Sequence, residues 1–150
     1  MKIRGFEIVT IYEGRGVHMP ERKTGASTGY DFAAAAEIDI APGAGALVPT
    51  GIKAYMQADE VLLIYIRSSA AFKKQLMLMN GVAVIDADYY GNADNEGHII
   101  VPLYNYGREP VSIAAGERIA QGIFTRYLAA DGDMAGCGRA RSGGFGSTGA

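Results

Sequence analysis

Short segments rich in β-branched and aromatic residues recur along the chain, and turn-forming residues separate them. Nine segments share this composition: residues 3–12, 36–40, 46–48, 52–56, 61–66, 82–85, 98–104, 111–113 and 119–127. The turns between them contain pairs such as Pro42-Gly43 and Gly91-Asn92, which favour the φ values and side-chain bonds of tight turns. Many short strands at regular spacing predict an all-β domain, built as a barrel or a jelly roll.

A single segment, residues 69–74, favours a helical turn, because Ser69 suits a helix start and most of the following residues are helix formers. The four alanines at 33–36 also favour helix, but the run is too short, and we interpret it as a strand entry. With 150 residues, 49% of them hydrophobic, the chain fits one compact domain. We expect a β domain over residues 1–130 and a flexible C-terminal arm over residues 131–150.

Charge and composition exclude several classes of function. A net charge of -2 argues against nucleic-acid binding, which requires a basic surface. No apolar run approaches membrane-spanning length and the N-terminus lacks the apolar core of a signal peptide, so we expect a cytoplasmic protein with no membrane partner. Phosphate-loop, nucleophile-elbow and zinc-protease motifs do not occur. His18 and His98 lie outside any motif, and we interpret them as surface or strand histidines.

The end of the chain, residues 139–150, is rich in glycine and reads RARSGGFGSTGA. Glycine lets backbone N–H groups approach an anion closely. Arg141, Ser147 and Thr148 add charge and hydroxyls, and Phe145 adds a flat apolar face. The segment therefore predicts a lid that orders on a phosphorylated ligand, and a low-complexity tail is the alternative.

An apolar stretch, residues 81–85, runs into two alternate acids and two tyrosines. Asp86 and Asp88 would face the same side if the strand continued. A carboxylate at the end of a buried strand can hold a water and take its proton, as a general base does in hydrolysis. Tyr89 or Tyr90 could stack on a ring. A strand that ends in a solvated acidic turn explains the same residues.

Three hydrogen-bonding residues, Arg67, Ser68 and Ser69, follow the strand expected over residues 61–66. A guanidinium with two hydroxyls suits phosphate oxygens, although a helix cap beside a surface arginine has the same sequence. Asp31 is either a turn acid or a group that orients an arginine or metal-bound waters. Gln121 either donates its amide to a phosphate or bonds within the sheet.

Taken in chain order, five segments resemble the trimeric dUTPase family. They are Gly29-Tyr30-Asp31-Phe32-Ala33, Arg67-Ser68-Ser69, and residues 81–91, 116–121 and 141–149. The resemblance implies a distorted jelly roll, or β-clip barrel, with one short helix, assembled as a homotrimer that shares its active sites between subunits. It also implies hydrolysis of dUTP to dUMP and pyrophosphate with Mg²⁺. That activity limits uracil incorporation into DNA and supplies dUMP for thymidylate synthesis.

The resemblance implies roles for the residues that would read the nucleoside. Asp86 matches the family's water-activating acid, and Tyr89 matches the tyrosine that packs under deoxyribose. A ribose 2′-hydroxyl would meet that ring without a partner, so ribonucleotides are rejected. Asn80, Gly81 and the strand through Val84 match the segment whose backbone groups read uracil and reject cytosine.

The same resemblance implies which residues hold the phosphates. The matching positions are Arg67, Ser68, Ser69 and Gln121, and Ser68 would polarise the bridge between the α and β phosphates. Magnesium prefers oxygen ligands and keeps waters, so the substrate phosphates would hold most of it. Asp31 would then act through water or by fixing Arg67.

The C-terminal arm resembles the family's active-site lid at five residues: Arg141, Phe145, Gly146, Ser147 and Thr148. Phe145 would stack on uracil, and the two hydroxyls would reach the phosphates. The family's arm arginine usually precedes the Gly-Gly pair by three positions, where this chain has Ala140, and we expect Arg141 rather than Arg139 to replace it. Residues 92–97 are also longer than the tight turn expected after Gly91, and they form either a lengthened hairpin or a contact surface.

Two other functions compete with dUTP hydrolysis. The dCTP deaminases share this fold, but deamination needs an acid or base beside the pyrimidine amine, and the segments around Arg67 and Asp86 contain no glutamate. A regulatory protein that keeps the scaffold to bind another protein is the non-enzymatic alternative. The presence of Asp86, Arg67 and the arm together favours catalysis.

Overall fold

The fold is built from short antiparallel strands, as seen in a computed structural model that describes residues 1–134, 141 and 143–146. Within these residues the strands are β1 (Gly5–Ile8), β2 (Tyr30–Ala33), β3 (Ile38–Ile40), β4 (Gly45–Pro49), β5 (Ile52–Tyr55), β6 (Glu60–Ile66), β7 (Leu76–Leu78), β8 (Ala83–Asp86), β9 (Ile100–Asn105), β10 (Val111–Ile113) and β11 (Arg118–Arg126). The α-helix α1 (Ser68–Lys74) follows β6, and 3₁₀ turns span Thr10–Tyr12 and Ala87–Tyr89. No helix in this part of the chain is long and apolar enough to cross a membrane. The prediction of an all-β domain with one short helix is confirmed.

The described strands pair into four antiparallel sheets. The largest has the order β2-β11-β6-β8, the second has the order β4-β9-β7, and β1-β5 and β10-β3 form two-stranded ribbons. β6 and β11 are paired from Ile66↔Ala120 to Glu60↔Arg126, and they form the centre of the largest sheet. β8 pairs with β6 on one side and has no other strand partner among the described residues. It is therefore an edge strand.

The core lies between the sheets, and its residues follow the alternation of the strands. Leu62 and Ile64 on β6, Leu103 on β9 and Phe32 on β2 are all fully buried. Successive side chains of a strand point to opposite faces, so Leu63, between two buried neighbours, is only half-buried. Burial of one large apolar side chain stabilises the fold by about 1.5 to 3 kcal/mol. Packing between the sheets therefore contributes strongly to the stability of these short strands.

Several element boundaries differ from the predictions. The first predicted strand ends early, because the N–H of Tyr12 bonds the carbonyl of Val9 and closes a 3₁₀ turn over Thr10–Tyr12. β2 and β7 are absent from the nine predicted segments. α1 begins one residue earlier than predicted, with Arg67 as its N-cap and without a side-chain capping bond, so the capping role expected of Ser69 is wrong.

Candidate active site

A cavity of about 190 Å³ lies beside β8, at the edge of the largest sheet. Its lining comes from β8, the following 3₁₀ turn, the start of β9 and the C-terminal arm: Asn80, Ala83, Val84, Ile85, Asp86, Tyr89, Ile99, Ile100, Pro102, Arg141, Gly144 and Phe145. A carboxylate, a guanidinium and two aromatic rings thus meet around one space that has both polar and apolar walls. Such convergence of polar groups with aromatic and apolar side chains in a cavity is typical of a small-molecule site.

Asp86 is the last residue of β8, and the chain then turns into the 3₁₀ segment Ala87–Tyr89. The strand does not continue through Asp88, as the alternation of acids suggested. Asp86 and Asp88 nevertheless bond the same side chain, that of Arg141. The Arg141 guanidinium bonds the Asp86 carboxylate, and its Nε donates to Asp88 Oδ1 at 2.8 Å. The Arg141 side chain is only 15% exposed, whereas that of Asp86 is 49% exposed. The carboxylate therefore keeps access to solvent while its charge is balanced by the arm.

The two tyrosines that follow Asp88 take different places. Tyr89 is buried and lines the cavity. Tyr90 lies outside it, where its hydroxyl donates to Glu7 Oε2 at 2.5 Å, and this bond, with a smaller contribution from burial, raises the pKa of Tyr90 to about 12. Of the pair, Tyr89 is the ring placed to contact a ligand.

The Tyr89 hydroxyl is bonded on both sides by residues that the sequence did not identify. It donates to the carbonyl of His98 at 2.7 Å and accepts from Asn95 Nδ2 at 2.8 Å. Burial raises the pKa of Tyr89, and the Asn95 bond opposes that shift. The ring is therefore a neutral, fixed surface at physiological pH.

His98 is buried in the segment before β9, so its interpretation as a surface or strand histidine is wrong. Its Nε2 accepts the N–H of Gly51 at 2.9 Å, and its ring lies 5.0 Å from that of Tyr12. A nitrogen that accepts an N–H carries no proton, and burial lowers the pKa of His98. The imidazole is a neutral structural group behind Tyr89.

We expect the free energy of unfolding to fall as the pH is lowered below the ordinary histidine pKa of 6.5. The unfolded chain binds a proton at His98 more readily than the folded chain does, so acid favours unfolding, while the stability is unaffected by this group above that pH. Urea unfolding from about pH 5.5 to about pH 7.5 at one protein concentration measures the slope. His98→Gln, whose amide oxygen can accept the Gly51 N–H, should flatten it. An unchanged slope in that variant would assign the effect to other groups.

A second cluster of predicted residues surrounds Asp31 on β2. Asp31 Oδ1 lies 3.1 Å from Arg67 Nε, and Oδ2 accepts from Arg118 Nη1 at 3.1 Å. Gln121 is paired with Asp31 in the β2–β11 register. A Cβ on Gly29 would lie 2.5 Å from Gln121 Oε1 and 3.1 Å from Gln121 Cβ, so a larger residue there would displace the Gln121 side chain. Asp31 thus orients Arg67, and Arg118 joins them although no sequence motif marked it.

These two clusters lie far apart within one chain. Asp86 pairs with Val61 near the start of β6, whereas Arg67 follows Ile66 at its end. Six residues of strand span about 20 Å. Neither Arg67 nor its cluster lines the cavity that contains Asp86. The structure brings together residues predicted to activate water, to pack under the sugar and to read uracil. The residues predicted to hold the phosphates lie elsewhere.

The remaining predicted residues are distributed around these clusters. Ser68 and Ser69 are exposed at the start of α1, beside Arg67. Gly81 occupies the turn before β8 with a φ of 71° and does not line the cavity. Ser147 and Thr148 lie outside the described residues, as does the alternative arm arginine, Arg139.

The described part of the arm packs against Tyr89 and the loop that follows it. A Cβ on Gly144 would lie 2.8 Å from Tyr89 Cε2, and one on Gly143 would lie 3.2 Å from the Asp94 side chain. Phe145 has a φ of 51°, lines the cavity and is 70% exposed. Glycine at 143 and 144 thus permits the arm to lie directly on the ring, with Phe145 at the mouth.

The described residues contain no group of three or more acidic, histidine or cysteine side chains that could cage a metal ion. Both oxygens of Asp31 already bond guanidinium groups. A divalent cation here would depend on ligands brought by a substrate, which agrees with the preference of Mg²⁺ for phosphates and water.

Comparisons with known proteins identify the family. The dUTPase family model matches residues 15–149. The deoxyuridine 5'-triphosphate nucleotidohydrolase of Lactococcus lactis subsp. lactis (strain IL1403) is 55% identical over 150 residues, which is 100% of both chains. The crystal structure of dUTPase from Streptococcus mutans has a TM-score of 0.81 and 48% identity over 85% of this chain and 99% of that one. A mutant dUTPase from phage phi11 of S. aureus shares the fold at 17% identity, with a TM-score of 0.72 over 89% of this chain and 96% of that one. The chain belongs to the dUTPase family.

Proposed function

We propose that this chain, an enzyme that hydrolyses dUTP to dUMP and pyrophosphate, activates the attacking water with Asp86. The observation that carries the proposal is the single cavity in which Asp86, the Tyr89 ring, the β8 edge and the arm residues Arg141 and Phe145 meet. The Asp86 carboxylate is partly exposed, so a water can reach it. It would take the proton as the water oxygen attacks the α-phosphorus in line.

The uracil would be read by the backbone of β8. An edge strand offers unpaired N–H and C=O groups to a ligand, and β8 has no outer strand partner among the described residues. Uracil presents a donor between two acceptors, and cytosine presents a different pattern, so the same backbone edge rejects cytosine. Val84 lies on this edge and Asn80 precedes it, and Phe145 would stack on the base from the arm.

The deoxyribose would pack on the Tyr89 ring. A 2′-hydroxyl placed against that apolar face would lose its water without gaining a partner, which disfavours ribonucleotides. The donor of the Tyr89 hydroxyl is already used on the His98 carbonyl, so it cannot serve the sugar.

The triphosphate would be held by Arg67, Ser68, Ser69 and Gln121, with Asp31 fixing the Arg67 guanidinium. Bound Mg²⁺ would neutralise charge on the phosphates, which would supply its inner ligands, while Asp31 would contact it through water. A structural Mg(II) ion is described for the phage phi11 dUTPase of similar fold. Arg141 would leave the Asp86 carboxylate and bond phosphate oxygens of the substrate. This exchange would free Asp86 to act as the general base and would stabilise the negative charge that develops on the phosphates.

The separation between the Asp86 and Arg67 clusters supports a homotrimer with shared sites. Leu47 on β4 and Met77 on β7 are exposed on one face of the second sheet, and Met79 continues this face over Gly45. Pro102 on β9, opposite Leu47, also lines the cavity. Another copy of the chain seated on this apolar face would cover it and would bring its own Arg67 cluster toward the cavity.

Pyrophosphate release from dUTP, dCTP, dTTP and UTP, each with and without Mg²⁺, tests the proposed activity. We expect release from dUTP with Mg²⁺ and little from the other three. Ammonia from dCTP without pyrophosphate from dUTP would instead identify a deaminase.

Mixing two inactive variants tests the shared site. We expect Asp86→Asn and Arg67→Ala to be inactive alone but to regain activity when they are unfolded and refolded together. In random trimers about a quarter of the sites would combine an intact Asp86 from one subunit with an intact Arg67 from another. If mixed trimers form but no activity returns, the Asp86 and Arg67 of each site belong to the same chain, which contradicts a shared site. Mixing Asp86→Asn with itself is the matched control.

A further inference from the structure

Residues 92–97, which we call the 92–97 loop, form a hydrogen-bonded turn against Tyr89 that the proposed mechanism does not use. Asn92 is buried, and its Oδ1 accepts the N–H groups of Asp94 and Asn95 at 3.0 and 3.1 Å. An asparagine that bonds the backbone two and three residues ahead stabilises a compact turn. The loop is therefore ordered by its own first residue.

The same loop holds the backbone of Tyr89. Asn92 Nδ2 donates to the Tyr89 carbonyl at 2.7 Å and to Asn95 Oδ1 at 2.9 Å. Gly97 has a φ of 91°, and a Cβ there would lie 2.8 Å from the Tyr89 carbonyl oxygen. The loop thus closes directly on the main chain of Tyr89.

Asn95 extends this support to the Tyr89 side chain. Its Oδ1 accepts from Asn92 Nδ2 and from the N–H of Gly97, which fixes the orientation of the amide. Its Nδ2 then points to the Tyr89 hydroxyl, 2.8 Å away, opposite the carbonyl of His98. The phenol is held between one donor and one acceptor, so the ring can neither tilt nor withdraw without breaking a bond.

The outer side of the loop has a separate anchor. Glu96 Oε2 accepts from the Thr10 hydroxyl at 2.9 Å and from Lys53 Nζ at 2.9 Å. This anchor ties the loop to the rest of the domain without contacting Tyr89.

We propose that Asn95 is a positioning residue that fixes the Tyr89 ring and thereby sets how strongly the enzyme discriminates dUTP from UTP. The inference rests on the proposed function, in which the ring packs under the sugar. A ring held in place rejects a 2′-hydroxyl by contact and by desolvation, whereas a ring free to tilt makes room for it or admits a water. The additional residues after Gly91 are thus part of the sugar specificity of the site.

The test compares kcat/KM for dUTP and for UTP in Asn95→Ala and in wild-type enzyme. Loss of one hydrogen bond to the ring is expected to lower the dUTP/UTP ratio about fivefold to tenfold, chiefly through faster UTP turnover. In a Tyr89→Phe background, which keeps the ring and removes the hydroxyl, Asn95→Ala should have no further effect on the ratio. An equal effect of Asn95→Ala with and without the hydroxyl would overturn the proposal.

Glu96→Ala is the matched control, because it removes the outer anchor of the same loop and leaves the Asn95 bond intact. We expect it to lower the melting temperature without changing the dUTP/UTP ratio. A ratio that falls as much in Glu96→Ala as in Asn95→Ala would assign the effect to the loop in general and overturn the role of Asn95. Wild-type enzyme that releases no pyrophosphate from dUTP would contradict the proposed function itself, whereas normal dUTP turnover with unchanged ratios would contradict only the inference.

Discussion

Asp86→Asn is expected to lower kcat for dUTP by about 100-fold to 10,000-fold, the range that general-base catalysis contributes. The amide has nearly the shape of the carboxylate but cannot take a proton from water. Substrate binding should persist, because the change also removes the charge that holds Arg141 and leaves this guanidinium available to the phosphates. Single-turnover kinetics and equilibrium binding of dUTP measure the two effects separately.

Asp88→Asn provides the control that the chain itself offers. Asp88 lies two residues from Asp86 and bonds the same guanidinium, at 2.8 Å, but does not line the cavity. Its replacement should alter kcat by no more than about threefold, since it removes only an exposed partner of the arm. Equal losses in both variants would show that pairing with Arg141, and not proton transfer, is what Asp86 contributes.

Truncation after Gly138 is expected to lower kcat/KM for dUTP at least about 100-fold, the effect of removing preorganised donors from a reaction centre. The deletion removes Arg141 and also Phe145, which lines the cavity. Every core residue in the part of the chain that the structure describes precedes Gly138, so the melting temperature should stay close to that of the full chain. Pyrophosphate release and thermal unfolding of the two proteins make the comparison.

Single substitutions in the arm separate its two candidate arginines. Arg141→Ala should reduce kcat/KM more than Arg139→Ala, because Arg141 bonds the Asp86 carboxylate and lines the cavity. The opposite order would show that the arm binds substrate in a register shifted by two residues. Full activity in the truncated chain would remove the arm from catalysis altogether.

The strands that sequence predicted well are those with local apolar alternation, and the strands that it missed depend on distant partners. β6, over Glu60–Ile66, is rich in branched residues and was predicted within one residue. β2 is only four residues long and contains no β-branched residue, and it is a strand because β11 pairs with it. β7 has three residues directly after α1, without a turn signal before it, and exists through its pairing with β9.

The candidate site shows the same limit. Residue types, and the order of the five segments taken together, pointed to Asp86, Tyr89 and Arg67, although each segment alone has another explanation. Their separation depends on the register of β6 against β8, which no local pattern encodes. Arg118 and Asn95 were not identified for the same reason, since each acquires its partner only when distant or turned segments meet.

Among the residues that the structure describes, β8 has one edge without a partner strand, and this edge affects the solubility of the enzyme. An open strand edge invites pairing with a strand of another molecule, which is how many proteins begin to aggregate, and Val84 adds an exposed apolar side chain to it. The strand has only four residues and ends at the charged Asp86–Arg141 pair, both of which discourage such pairing. A nucleobase bound to β8 as proposed would satisfy the same groups, so we expect substrate to protect the protein from self-association at this edge.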